Sequence, residues 1–310
     1  MSVIEKALGK MRETPAQAVA APAAPVAPVA PAARAAPVDT GATTARQRAL
    51  HMPPSRLAPN PDIRLTDGMM DELGLRTIVA QQEYQRVSEF RHVKRDLLGA
   101  IRSGEANRII LVASALAGEG KSFSSANLAR SIALEPDYTV LLIDGDVAKP
   151  RISHSLGVLD RKGLMNAIVE PGCDVETLIL TTDIEGLQVL PAGASHEHAT
   201  EHLASERMRA VLELLQEVPN RIIVIDSLPI LLTTEVRVLA PMAGQVLMVV
   251  RAESTPQSAV EQAVSILGQG VKTKLLLNAL VQTRASRYLG YGYGYTYGYR
   301  VTHGERPEIK

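Results

Sequence analysis

Ile109-Ile-Leu-Val-Ala-Ser114-Ala-Leu-Ala-Gly118-Glu-Gly120-Lys121-Ser122 is the stretch that decides the fold. Its first five residues are apolar and three are β-branched, which reads as a strand buried on both faces. A glycine-bearing loop follows, and Ser122–Leu134 then reads as a helix. Strand, Gly-x-Gly-Lys-Ser, helix is the order that builds a phosphate cradle. Gly118 and Gly120 allow backbone N–H groups to turn inward on an anion. Lys121 supplies a point charge for the β- and γ-phosphates, the Ser122 hydroxyl suits Mg²⁺, and the helix N-terminus adds its positive end. Ala115 stands where such loops usually carry their first glycine, which a negative φ tolerates. Ala117, Gly118, Glu119, Gly120, Lys121, Ser122 and Phe123 are thus the expected nucleotide contacts.

Outward from the loop, apolar runs alternate with amphipathic ones. Further strands are expected at Val140–Ile143, Leu187–Leu190, Ile222–Ile225, Val246–Val250 and Leu275–Val281, with helices at Ala204–Glu217 and Gln257–Leu267. This alternation predicts an α/β fold: a doubly wound, mostly parallel sheet of the P-loop NTPase type, with its active edge at the strands' C-terminal ends. Two runs close on acids, Leu141-Leu-Ile-Asp144-Gly-Asp146 and Ile222-Ile-Val-Ile-Asp226-Ser-Leu-Pro229. One acid after a strand is often a helix cap. Three acids on two strand ends beside a phosphate loop point instead to metal and proton chemistry. Asp226 has the position of an acid that orients Mg²⁺-bound water, so Ser122, Asp144 and Asp226 are the candidate metal residues. Lys121, Asp144, Asp146 and Asp226 are the candidate catalytic set.

The flanks differ from this middle part. Residues 1–12 carry Val3, Ile4, Ala7, Leu8 and Met11 on one helical face, a short docking helix or a frayed start. Residues 13–66 are rich in Ala and Pro and read as an extended linker; at roughly 3 Å per residue it reaches on the order of 100 Å. Residues 67–283 form the expected globular domain. They begin with a helical run, 67–103, whose charged side is either a solvated face or a subunit contact. The tail, 284–310, holds Tyr288, Tyr291, Tyr293, Tyr295, Tyr297 and Tyr299, six of the eight tyrosines in the chain. Its glycines make ordering costly and leave little to pack, so a flexible tail of solvated phenols is expected.

Bulk composition narrows the function. Lys and Arg number 33 and so do Asp and Glu, a balance that argues against nucleic acid as a partner. One cysteine, Cys173, excludes an internal disulfide and fits a reducing compartment. No run of about 18 apolar residues suggests a membrane-spanning helix. Any membrane role is therefore expected to come through a partner.

These motifs resemble the bacterial tyrosine kinases of polysaccharide export. That family combines a phosphate loop, an Asp-x-Asp-x-Arg motif, an apolar-Asp-x-x-Pro motif and a tyrosine-rich C-terminus. All four can be placed over roughly residues 85–300, and the start plus Ala/Pro linker resemble the exosortase-associated subgroup. The resemblance implies ATP and Mg²⁺ as cofactors and autophosphorylation on the six tail tyrosines, usually between subunits of a homo-oligomer. It also implies a membrane-embedded polysaccharide chain-length regulator as activator and a cognate tyrosine phosphatase. A cytoplasmic protein, peripheral to the inner membrane through its partner, is implied too. Asn278 would face the adenine on the family's pattern, or else cap the strand end. Departures exist: the motif Arg is Ala148, with Lys149 and Arg151 close by. The family's Glu-x-x-Arg-x-x-Arg oligomerisation motif falls on Ser88, Arg91 and Lys94.

A tyrosine hydroxyl near pKa 10 needs a carboxylate to take its proton or a nearby cation to favour phenolate; Asp144 and Asp146 are both candidates for the carboxylate. The tail is formally cationic, with five basic and two acidic residues over 284–310. It suits an acidic site until phosphates, each about −1.5 to −2, reverse its sign. The rival reading is a positioning or partition ATPase without kinase activity. Such proteins carry a signature Lys five residues before the loop Lys, and that position is Leu116 here.

Overall fold

The computed structural model describes residues 60–76 and 80–280. The docking helix, most of the linker and the tyrosine tail lie outside the described residues. Residues 60–66, expected to end the linker, belong to the domain surface instead. Ile63 is buried and bridges to Thr182, and the Asp62 carboxylate accepts from the Thr181 N–H at 2.9 Å.

The expected helix 67–103 is two helices, α1 (Asp67–Glu72) and α2 (Ala80–Arg102). Thr66 caps α1, accepting from the Met69 N–H through its hydroxyl. Gly74, at φ +64°, ends it. A Cβ there would lie 2.3 Å from the Phe123 ring, so the chain turns where only glycine fits.

Seven strands follow: β1 (Ile109–Ser114), β2 (Thr139–Asp144), β3 (Leu180–Thr181), β4 (Leu187–Leu190), β5 (Arg221–Pro229), β6 (Gln245–Arg251) and β7 (Thr273–Asn278). They form one sheet in the order β3-β4-β2-β5-β1-β6-β7. All pairs are parallel except β3 with β4. This is the doubly wound, mostly parallel sheet the alternation predicts. The two-residue β3 lacked enough apolar length to be seen in the sequence, and β7 stops at Asn278, short of the expected Val281.

The helices are α3 (Lys121–Ala133), α4 (Arg151–Ser155), α5 (Leu164–Val169), α6 (Ala199–Leu203), α7 (Glu206–Glu217), α8 (Glu235–Leu239) and α9 (Gln257–Leu267). Strand side chains alternate between two cores, as the pleat requires. Ile109, Leu111, Leu141, Ile143, Ile223, Ile225 and Met248 pack with α5, α7 and α9 on one face. Ile110, Val112, Val140, Leu142, Ile222, Val224 and Leu247 pack with α2, α3 and α4 on the other. Burying each large aliphatic side chain contributes about 1.5–3 kcal/mol. A sheet covered twice can therefore hold rigid strand ends. β5 lies between β2 and β1, which brings the C-terminal ends of all three strands to one edge.

Candidate active site

At that edge the turn from β1 into α3 is held by its own residues. Gly118 has φ +78° and Gly120, just before α3, φ +95°. A Cβ on Gly120 would meet Asn278 Nδ2 at 2.0 Å, so both conformation and space require glycine there. The Glu119 side chain is turned inward and almost fully buried. Its Oε2 accepts from the Leu116 N–H at 2.7 Å, and its Oε1 accepts from the Thr255 hydroxyl. Arg251 donates to the Gly118 carbonyl at 3.2 Å, and Asn278 Nδ2 to the Glu119 carbonyl at 2.9 Å. Buried charge-assisted bonds of this kind fix a loop tightly.

Three sequence-predicted contacts take a different form from a direct nucleotide contact. The Glu119 carboxylate braces the loop from beneath. The Phe123 ring faces away, edge-on to Phe90 with centroids 6.2 Å apart. Asn278, from the strand at the far side of β6, ties β7 to the loop. Ala117 and Gly118 are exposed at the loop's tip. Leu116 packs against the core, so the position that carries a cation in partition ATPases is apolar in space as well as in sequence.

The acids meet Lys121 here. Asp144 and Asp226 are register partners on β2 and β5, and both are fully buried. Asp226 Oδ1 accepts from the Ser125 hydroxyl at 3.0 Å, and the Ser122 side chain is close enough to the same carboxyl to favour its charged form. Asp144 Oδ2 accepts from the backbone N–H and hydroxyl of Ser153, at 2.8 and 2.7 Å. The remaining oxygens, Asp226 Oδ2 and Asp144 Oδ1, are buried with no hydrogen-bond partner among the described residues. Burial pushes Asp226 up to about 7 and Asp144 up to about 6, hydroxyl and N–H donors opposing it. Burial also lowers Lys121, against the pull of Asp226, Asp146 and Glu119. Asp146 is only half-buried; burial raises it, and the Lys149 N–H donates to its Oδ1 at 3.0 Å. Gly145 separates the two acids closely under β5: a Cβ there would lie 2.7 Å from the Asp226 carbonyl oxygen.

Among the described residues no cluster of three or more His, Cys, Asp or Glu side chains forms a metal site by itself. Two orphaned carboxylate oxygens on register-paired acids nevertheless fit a hard divalent cation that completes its shell with a hydroxyl, water and phosphate. Sequence reasoning missed Ser125 and Ser153, whereas the Arg251–Thr255 stretch, read in the sequence as a strand end lining the nucleotide pocket, does reach the loop. Ser125 was findable, since it stands four residues after Lys121 on the same helical face. Ser153 depends on how α4 docks and left no local signal. The six tail tyrosines lie outside the described residues.

Comparison with known proteins gives these groups a context. The AAA domain family (AAA_31) matches residues 107–279. A putative tyrosine-protein kinase, CapB of Staphylococcus aureus, is 30% identical over 208 residues, 66% of this chain and 89% of CapB. The tyrosine-protein kinase wzc of Salmonella typhimurium is 31% identical over 191 residues, 60% of this chain but only 26% of wzc. The chain thus spans most of one relative and about a quarter of the other. The solved kinase domain of the Escherichia coli tyrosine kinase ETK superposes with a TM-score of 0.56 at 27% identity, covering 67% of this chain and 80% of that one. A phosphate loop, buried acids at the end of β2 and within β5, and kinase relatives matched over the same span agree: the chain belongs to the AAA domain family and, within it, to the bacterial tyrosine-protein kinases.

Proposed function

We propose that this chain is an ATP-dependent tyrosine autokinase that phosphorylates its own C-terminal tyrosines and so regulates exopolysaccharide polymerisation and export. The observation that carries the reading is the meeting of Lys121, Asp144, Asp146 and Asp226 at one sheet edge, with two buried carboxylate oxygens left unpartnered. The loop residues 117–122 bind the triphosphate of ATP, and Lys121 neutralises its terminal phosphates. Ser122, Asp226 and Asp144 would hold Mg²⁺, which would supply positive charge to the transferring group. Asp146, less buried than Asp144 and with no hydroxyl tied to it, takes the phenol proton. As that proton moves to Asp146, the tyrosine oxygen forms its bond to the γ-phosphorus. The bond from phosphorus to the β–γ bridging oxygen breaks, and ADP leaves with that electron pair.

No helix among the described residues is long and apolar enough to cross a membrane. We propose that the chain works as a homo-oligomer at the inner membrane, activated by a membrane-embedded polysaccharide chain-length regulator and reversed by a tyrosine phosphatase. Family resemblance supports this, as do the apolar residues Val3, Ile4, Ala7, Leu8 and Met11 at helical spacing near the N-terminus. The test is incubation of purified protein with Mg-ATP, with and without an activator fragment, followed by phosphotyrosine detection. Lys121→Met and a tail with all six tyrosines changed to Phe are each expected to abolish the label. ATP hydrolysis with no phosphotyrosine, even with activator, would overturn the proposal.

A further inference from the structure

Beside the acid edge opens a second cleft of about 320 Å³, lined by Glu72, Lys149, Pro150, Arg151, His154 and Leu159. The two sites share a border. The Lys149 N–H donates to Asp146, and the Arg151 charge is close enough to Lys121 to disfavour protonation there. Among the described residues neither Lys149 nor Arg151 forms a salt bridge, whereas Glu72 is engaged by His154 at 3.3 Å. Leu159 is half exposed and offers an apolar surface with Pro150. Two cations outside any salt bridge, one of them also felt by Asp146, share the cleft with the apolar Pro150 and Leu159 and suit one chemical class, an aryl phosphate monoester: ring on the apolar side chains, dianion on the guanidinium and ammonium.

We infer that this cleft binds a phosphotyrosine of the C-terminal tail of a copy of this chain, and holds it while the next tyrosine is modified. The inference rests on the proposed tyrosine transfer and adds a site to it. The tail is the occupant the sequence favours. Tyr291, Tyr293, Tyr295, Tyr297 and Tyr299 alternate strictly, so in an extended chain neighbouring phenols stand about 7 Å apart. That is a short step between adjoining sites. Charge sets the direction of selection. The unmodified tyrosine segment, 288–299, carries no charged side chain and offers Lys149 and Arg151 no counter-ion. One phosphate contributes about −1.5 to −2 and makes the modified residue the favoured guest.

The experiment is fluorescence anisotropy of labelled peptides spanning residues 288–299, unmodified or phosphorylated on Tyr295, titrated with full-length unphosphorylated protein. The phosphopeptide is expected to bind at least ten-fold tighter than the unmodified one. Lys149→Gln and Arg151→Gln are each expected to weaken it about ten-fold, and Glu72→Gln to tighten it several-fold. All three residues lie at the surface, and the Glu72 change predicts a gain that misfolding cannot imitate. Inorganic phosphate and ADP serve as competitors. Displacement by either at concentrations comparable to the phosphopeptide would make this a general anion or nucleotide site and overturn the inference. So would equal binding of the two peptides, or indifference to the three substitutions. Because the peptides are synthetic, binding is read without kinase activity. Missing binding with intact autophosphorylation overturns only the cleft assignment; intact binding without autophosphorylation overturns only the kinase proposal.

Discussion

Asp226 sits fully buried, with one oxygen near Ser125 and the other unpartnered. A carboxylate in that position opposes folding whenever it is charged without a counter-ion. Its native pKa of about 7 and that of Asp144, about 6, lie above the ordinary 3.8. The native state therefore holds protons that the unfolded chain releases. Their stabilising effect is fully present below the unfolded value and is lost as pH rises through 6 to 7. Two outcomes follow. Asp226→Asn raises the Tm of the ligand-free protein by a few degrees at about pH 8, by less at about pH 5 and hardly at all below about pH 4, while lowering phosphotyrosine formation by roughly 100-fold or more. Calorimetry at these pH values checks the first part; an unchanged or lower Tm at the highest pH would contradict it. Mg²⁺ with a non-hydrolysable ATP analogue raises Tm more at about pH 8 than at about pH 5.5, because the cation and the protons compete for the same oxygens.

At the level of elements, β1 and α3 are joined by a turn that depends on the backbone conformation of Gly120. Gly120→Ala places a methyl against Asn278 and strains a left-handed residue, a strain of about 1–3 kcal/mol before the clash is counted. Isothermal titration is expected to show nucleotide affinity falling at least ten-fold, more than Tm falls. On α2, Lys94 is nearly buried and its ammonium bonds the Ser131 carbonyl and Glu135, both at 2.7 Å. This position, aligned in sequence with an oligomerisation motif, ties α2 to the end of α3 within one subunit. Lys94→Ala is expected to destabilise the chain by about 1–3 kcal/mol, and the exposed Arg91→Ala by less than about 0.5 kcal/mol, in urea unfolding. Elements of this sort were legible where a periodic pattern ran long enough. β1, α3, α7 and α9 showed it, and so did the acids that end β2 and lie within β5. The brace on Glu119, the break at Gly74 and the packing of residues 60–66 were not legible. Each depends on a contact between segments far apart in the chain, which local pattern does not encode.

For the whole molecule, the proposed autokinase pairs a sheet edge with a tail that carries the acceptors. Phosphorylation turns residues 284–310 from a cationic into an anionic segment, since two phosphates outweigh the excess of five basic over two acidic residues. Attraction of the unmodified tail to the acid edge should therefore strengthen as salt falls, and a multiply phosphorylated tail should be repelled from it more strongly at low salt. Native mass spectrometry of the oligomer against phosphate count checks this; an assembly equally stable with a fully phosphorylated tail and an all-Phe tail would contradict it. The central claim is that the Lys121–Asp226 edge transfers phosphate to the tail. Its most direct test is to incubate wild-type and Asp226→Asn proteins with Mg-ATP and activator, then map phosphate by tandem mass spectrometry. The account predicts phosphate on tyrosines between 288 and 299 in wild type and none in the variant. Phosphate in the variant at wild-type level, or found only outside the tail, would contradict it.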